Sequence, residues 1–325
     1  MQIQQNTPQN ISTPLVSFIV TVYNLPIEFI KLCINSILAL SLQAKDREII
    51  IIDDGSRIPA LEELAEIKDD IIYLRQRNQG PSMARNMGLK IATGKYIQFV
   101  DGDDYLIQAP YEHCLDIVRY HNPDIVLFNE TKKKHADLPL SLSEPVTGAS
   151  YMHNHNLHAA VWEYIFLKKI LVNLQFTPGL LCEDEEFTPL LFLRADRVIS
   201  TNAEAYYYRK RKHSIIQEKE RDHVLHKLTD VKKIIFHLQD ISAAVPEFDR
   251  VALQRRIAQL TMDYLYNIIK QTRSHKLFHD TIEILKARRL FPLPDKKYTR
   301  KYTLFRKVIN TKIGQEILFI FISRL

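Results

Sequence analysis

Glycine is scarce in this chain, 8 residues in 325. A collagen-like repeat, a propeller or a glycine-rich low-complexity segment would need far more. No G-x-G-x-x-G follows an apolar run, so the dinucleotide turn of an oxidoreductase is missing. Cysteine is sparse too. Cys33, Cys114 and Cys182 are an odd number at wide spacing and form no C-x-x-C. That excludes a disulfide framework, offers no zinc spacing and fits a reducing cytoplasm. Long apolar runs are also lacking. Stretches such as 49–52 and 317–322 fall far short of the ~20 residues that span a bilayer. The first residues, Met1-Gln-Ile-Gln-Gln-Asn6, lack the basic start and apolar core of a signal peptide. The expectation is a cytoplasmic protein that does not cross a membrane, with a disordered tail over residues 1–14.

What is present is ordinary in bulk and uneven in charge. The 46% apolar and 25% charged fractions suit a globular chain, and 325 residues suit about two domains. Residues 222–325 hold 20 Lys+Arg against 10 Asp+Glu, whereas the preceding 221 hold 24 against 28. The first part reads as an enzyme body with clustered carboxylates. The second reads as a basic helical region drawn to an anionic surface.

Apolar runs at 16–22, 47–52, 71–74, 95–100 and 124–128 alternate with helical patterns near 26–38, 61–67, 82–91 and 109–119. Such alternation predicts a parallel sheet with helices on both faces, whose ligands bind beyond the strands' carboxyl ends. Three polar clusters lie at those ends: Thr21-Val-Tyr-Asn24, Asp53-Asp-Gly-Ser56 and Asp101-Gly-Asp-Asp104. Residues 156–174, with the sole tryptophan Trp162, read as a helix. Residues 198–200 and 205–209 read as short strands, and a mostly helical region follows from 222.

The clusters carry candidate chemistry. Asp101 and Asp103 alternate onto one side of a strand end, where two carboxylates can hold a hard divalent cation and a ribose. The alternative is a solvated Asp-Gly-Asp turn. Asp53-Asp54-Gly55 can likewise be turn chemistry, or a carboxylate can accept a hydrogen bond from a base N–H. Arg85 is either a solvent-facing cation or a partner for phosphates or base. Glu183, Asp184, Glu185 and Glu186 begin a helix, where the macrodipole favours acids. The apolar Gly-Leu-Leu-Cys approach to that run instead suggests a partly buried carboxylate able to act as a base.

Taken together, Val16-Ser-Phe-Ile-Val-Thr-Val-Tyr-Asn24, Ile52-Asp-Asp-Gly-Ser56, Asn78-Gln-Gly-Pro-Ser-Met-Ala-Arg-Asn-Met-Gly88, Ala92-Thr-Gly-Lys-Tyr-Ile-Gln-Phe-Val-Asp-Gly-Asp-Asp104 and Cys182-Glu-Asp-Glu-Glu-Phe187 resemble family 2 of the glycosyltransferases, in that family's order and spacing. The resemblance is strong over residues 15–130 and thinner to about 215. It implies a GT-A, Rossmann-like nucleotide-sugar-binding sheet over 15–221, followed by a basic helical region over 222–325. It further implies an inverting, metal-dependent transfer from a nucleotide-sugar, a UDP-sugar by family habit, to an acceptor hydroxyl. Under it, Thr21 and Asn24 line the nucleotide pocket and Asp54 bonds the base beside Asp53. Arg85 lies near base or phosphates, Asp101 contacts the ribose, and Asp103 holds Mn²⁺ or Mg²⁺. Asp184 is the catalytic base, with Glu183 next in line for that role. The segment Tyr206-Tyr-Tyr-Arg-Lys-Arg-Lys-His-Ser-Ile215 also looks family-like. Arg209, Arg211 or His213 would contact the diphosphate, and His213 could reach the metal.

The acceptor implied is a lipid-linked or growing cell-surface glycan. Residues 286–325 hold 11 Lys+Arg against 2 Asp+Glu, interleaved with Leu304, Phe305, Val308, Ile309 and the run 317–322. That pattern suits peripheral contact with the inner face of the membrane. The same apolar residues could instead pack on the catalytic body or form a homo-oligomer interface. An enzyme with this donor site has no evident use for nucleic acid. Two rivals stand beside this reading. A nucleotidyltransferase would need a glycine-rich loop after the first strand, and Thr21-Val-Tyr-Asn-Leu-Pro26 has none. A non-catalytic sugar- or membrane-binding protein on a decayed transferase fold is opposed by Asp101, Asp103 and Asp184 all being present.

Overall fold

The structure, a computed structural model, describes residues 13–132, 139–210 and 221–324. Among the described residues, eight strands run in the order β1 (Val16–Val22), β2 (Arg47–Asp53), β3 (Ile72–Arg75), β4 (Tyr96–Asp101), β5 (Tyr105–Leu106), β6 (Ile125–Thr131), β7 (Tyr164–Leu167) and β8 (Val198–Tyr207). They form one sheet in the spatial order β3-β2-β1-β4-β7-β6-β8-β5. The expected fold class holds: a mixed sheet flanked by helices, with a helical C-terminal region. The helices are α1 (Ile27–Leu38), α2 (Pro81–Ile91), α3 (Gln108–His121), α4 (Gly148–Asn154), α5 (Asp184–Phe192), α6 (Arg221–Ser242), α7 (Glu247–Asn267), α8 (His275–Ala287), α9 (Arg300–Ile309) and α10 (Lys312–Ile322).

The chain folds into two compact units, each built from separate segments. Of the described residues, the first comprises 13–132, 139–145, 161–173 and 199–209, and the second 146–160, 174–198, 210 and 221–324. In the first unit the run 16–22 is apolar at nearly every position because β1 is covered on both faces; Phe18, Ile19 and Val20 are fully buried. β1 pairs in parallel with β2 and β4, and β2 with β3. The register sets Thr21 opposite both Ile52 and Asp101, and Val22 opposite Asp53. Three polar strand ends therefore share one rim. Gly102 lets β4 end there, since a Cβ on it would lie 2.5 Å from Val22 Cγ1 and 3.0 Å from the Thr21 carbonyl oxygen.

Three expectations are corrected. The sheet is parallel across β3-β2-β1-β4 but not throughout, because β7 runs antiparallel to both β4 and β6. The segment 156–174 is not a helix; it contains a 3-10 turn at Val161–Glu163, strand β7 and a second turn at Lys168–Leu171. All four β7 residues, Tyr164-Ile-Phe-Leu167, are buried, and a short unbroken apolar run reads alike in a buried strand and a buried helix. The two short strands expected at 198–209 are one, β8.

The second unit is helical around a core that includes Ile235, Leu238, Leu253, Leu265, Phe278, Leu285, Tyr302 and Ile309. The starts of α8, α9 and α10 follow capping chemistry: the Ser274, Thr299 and Thr311 side chains accept hydrogen bonds from the backbone N–H of Leu277, Tyr302 and Gly314. Part of the basic surplus is internal. Arg255 and Arg256 of α7 and Arg306 of α9 are buried, and Arg306 pairs with Asp295. Among the described residues no helix is long and apolar enough to cross a membrane.

Candidate active site

The first unit gathers six side chains or loops at the rim above β1 and β4. Asp101, the last residue of β4, accepts from the Thr21 hydroxyl at 3.4 Å and from the Arg85 guanidinium at 3.3 Å on the same Oδ1. Arg85 comes from α2, where Gly80 at φ 84° and Pro81 in the first turn start the helix. It is buried beside Phe99, its guanidinium carbon 6.0 Å from the ring centre. The Tyr206 hydroxyl of β8 accepts from the Asp101 backbone N–H at 3.1 Å and donates to Asp104 Oδ2 at 2.9 Å. Arg209 closes the cluster: its backbone N–H reaches Asp104 Oδ1 at 2.7 Å and its Nε the Asp103 carbonyl at 2.8 Å. Its guanidinium lies 4.3 Å from the Phe29 ring centre.

The electrostatics are those of crowded acids. Asp104 is buried, and its carboxyl is pushed up to about 8, first by burial and then by Asp101 and Asp103. The hydrogen bonds from Arg209 and Tyr206 offset this only partly. Three carboxylates within four residues, all hard oxygen donors, suit a Mg²⁺- or Mn²⁺-sized cation. Tyr206 and Asp104 stand in the sequence motifs but received no role there. The run of three tyrosines before Arg209 was the available signal for Tyr206.

A second node lies where β1 and β2 end. Asn24 adopts a left-handed backbone at φ 48°; its Oδ1 accepts from Arg57 N at 2.8 Å and its N–H donates to Ser56 Oγ at 2.9 Å. Asp53 is fully buried, accepting from Ser56 N at 2.7 Å and the Tyr73 hydroxyl at 2.6 Å. Asp54 accepts three bonds: Gln76 Nε2 at 2.7 Å and Gln79 N at 2.9 Å on Oδ1, and Gly80 N at 2.8 Å on Oδ2. Gly55, at φ +79°, makes this possible; a Cβ there would sit 2.7 Å from Asn78 N. Both carboxylates are thus engaged by the protein itself, tying β2 to the approach to α2.

The second unit carries the acidic run. Cys182 has a left-handed backbone, φ 63°, and turns the chain into α5. Burial pushes its thiol up to about 11. Glu183 is buried and Asp184, first residue of α5, is half-buried, its Oδ1 accepting from Glu185 N at 3.0 Å. The next two acids do more than complement the macrodipole. Glu185 pairs with Arg256, whose other nitrogen donates to the Leu157 carbonyl at 2.8 Å. Glu186 accepts from the Thr177 hydroxyl and meets His237 Nδ1, each at 2.5 Å. Arg256, missed from the sequence, is thereby a neighbour of the candidate base. Arg211 and His213 lie outside the described residues, as do residues 1–12 of the expected tail.

Residues 17–173 match the sequence profile of glycosyl transferase family 2. An uncharacterised glycosyltransferase of Bacillus subtilis, EpsJ, is 32% identical over 221 residues, 63% of this chain and 63% of its own. The glycosyltransferase GlyA of Streptococcus pneumoniae is 30% identical over 221 residues, 62% of this chain and 31% of its own. The matched part therefore spans less than two thirds of either relative. Among solved structures, S. aureus TarS 1-349 with UDP-GlcNAc overlays with a TM-score of 0.59 at 19% identity, covering 93% of this chain and 82% of that one. The mannosyltransferase PcManGT of Pyrobaculum calidifontis, in complex with GDP-Man and Mn²⁺, overlays at 0.55 and 14% identity, covering 92% and 87%. Those two likenesses are of fold. Over residues 17–173, just under half of the chain, the sequence is similar to glycosyl transferase family 2, and the fold is GT-A-like.

Proposed function

We propose that this protein is an inverting, metal-dependent glycosyltransferase that moves a sugar from a UDP-sugar to an acceptor hydroxyl on a cell-surface or lipid-linked glycan. The observation that carries the reading is the rim of the first unit, where Asp101, Asp103 and Asp104 crowd beside Arg85, all within the family-like stretch 17–173, and are joined by Arg209 from beyond it. Asp103 would hold Mn²⁺ or Mg²⁺, which supplies charge neutralisation at the departing diphosphate. Asp101, steadied by Thr21 and Arg85, would receive the ribose. Arg209, braced on the Asp103 carbonyl, would place its charge near the diphosphate. Asp54 orders the 76–80 loop, and the acceptor capacity left on its carboxylate is what a base N–H would use. Asn24 and Asp53 hold the two loop ends in place.

Asp184 would take the proton of the attacking acceptor hydroxyl as general base, Glu185 and Glu186 anchoring its helix. The basic, apolar C-terminal helices would meet anionic lipid at the inner membrane surface. Ile313 and Phe321 of α10 and Leu304 of α9 are exposed, whereas Tyr302 and Ile309 belong to the core.

The test is steady-state transfer with purified protein, UDP-sugars and Mn²⁺. Asp103→Asn should abolish the metal-dependent rate. Asp184→Asn should lower kcat by roughly 10²–10⁴-fold while nucleotide affinity stays nearly unchanged. Activity indifferent to chelator and to Asp103→Asn would remove the metal reading. Normal turnover by Asp184→Asn with a dead Glu183→Gln would move the base one residue back.

A further inference from the structure

The second unit holds a set of donors that plays no part in the proposed transfer. His275 and His279 stand one turn apart on α8, so their rings share a face. Glu316 of α10 meets both: Oε2 lies 2.7 Å from His275 Nε2 and Oε1 3.2 Å from His279 Nε2. One ligand atom from each residue falls within 4.8 Å of the others. We propose that His275, His279 and Glu316 form a binding site for a divalent transition metal of the Zn²⁺ type, which ties α10 to α8.

The chemistry of the donors selects the ion. Two imidazole nitrogens and one carboxylate oxygen suit Zn²⁺, Ni²⁺ or Cu²⁺ and are a poor set for Mg²⁺ or Ca²⁺, which prefer oxygen. This separates the site from the all-carboxylate cluster at the end of β4. Bonds of about 2.0–2.1 Å at tetrahedral angles put ligand atoms roughly 3.3 Å apart, so the observed spacing needs only small side-chain shifts. Three protein ligands leave a fourth position for water. The rings are already placed: Phe319 of α10 packs edge-on against His275 with centroids 4.7 Å apart, and also touches Phe278. Such neighbours orient a ligating ring and shield one side of the ion. An ion pair alone is a weak reason for this convergence, because all three side chains are about half exposed and such pairs contribute little.

What the metal would hold is α10, whose Ile313, Ile317, Ile320 and Phe321 are exposed. The experiment uses the untagged full-length chain, stripped with chelator and titrated with Co²⁺ as a spectroscopic stand-in for Zn²⁺. In the absence of nucleotide one tight equivalent should bind, distinct from any weaker binding at the oxygen-only set of the first unit, give the visible bands of a four- or five-coordinate ion, and be displaced by Zn²⁺. His279→Gln and Glu316→Gln, which keep size and polarity, should each weaken binding by about tenfold or more. Asp103→Asn should leave it unchanged, so failure here and failure of the transferase metal reading are distinguishable. Zn²⁺ should also slow amide exchange over 312–322 in the wild type and not in Glu316→Gln. The proposal is overturned by the absence of saturable one-equivalent binding, by equal affinity in both ligand variants, by loss of the signal in Asp103→Asn, or by binding that adds no protection to α10.

Discussion

Asp54 offers a quantitative test of how the donor side is built. Replacing it with alanine removes three accepted hydrogen bonds at a position only 5% exposed. It strands the N–H groups of Gln79 and Gly80 and the amide of Gln76. A buried donor left unsatisfied costs about 1–3 kcal/mol. The three share one carboxylate, and a cavity that size admits some water, so the loss should total about 3 kcal/mol rather than the full sum. At roughly 2–4 °C per kcal/mol for a unit of this size, the first unit should melt about 6–12 °C lower. Trp162, the sole tryptophan, belongs to that unit and stacks on Tyr206 and Tyr208, so its fluorescence reports the relevant transition. Asp54→Asn keeps one acceptor oxygen but turns an amide toward backbone donors, and should fall between. An unchanged midpoint in Asp54→Ala, with lost UDP affinity, would refute the reasoning: the carboxylate would then serve the ligand and not the loop.

Arg256→Met should destabilise the second unit by about 2–3 kcal/mol in a urea titration, because it leaves the half-buried Glu185 without its partner. Adding Glu185→Gln should recover part of that, and a strictly additive double variant would deny the pairing. The thiols should be inert. With Cys182 at about 11, its thiolate fraction at pH 8 is about 10⁻³, some two hundredfold below an ordinary cysteine. Burial raises Cys33 and Cys114 as well. Alkylation should therefore be slow at pH 8 and accelerate up to about pH 11 as thiolate forms; rapid labelling at pH 8 would contradict this. Vesicles containing anionic lipid should sediment with the protein at low salt, and Ile313→Ser with Phe321→Ser should weaken that without unfolding it, since neither side chain is in the core. Equal sedimentation of variant and wild type would leave those residues as packing or oligomer contacts.

Much of this architecture can be read from the chain alone, and the reasons differ by region. The parallel half declares itself because β1, β2 and β4 are mostly apolar, β-branched or aromatic runs followed at once by polar clusters at 21–24, 53–56 and 101–104, which fixes both strand and rim. The antiparallel half is hidden because Tyr164-Ile-Phe-Leu167 carries no periodicity and β5 is two residues long. The acids at the end of β4 are visible as residue types. That Tyr206 and Arg209 bond to these acids is not visible, since both arrive from about a hundred residues away. The run 183–186 shows its charge in sequence, whereas the difference between Asp184 and the anchored Glu185 and Glu186 depends on Arg256, Thr177 and His237. The exposed basic residues of 286–325 are legible as charge, while the burial of Arg306 is set by tertiary packing alone.

The most direct test of the central claim is equilibrium binding of UDP and UDP-sugars, followed calorimetrically with Mn²⁺, with Mg²⁺ and with chelator. The account predicts one site per chain, tighter with either metal, and lost or made metal-independent by Asp103→Asn. Binding of no nucleotide or nucleotide-sugar in any of these conditions, or binding indifferent to both metal and Asp103, would contradict it.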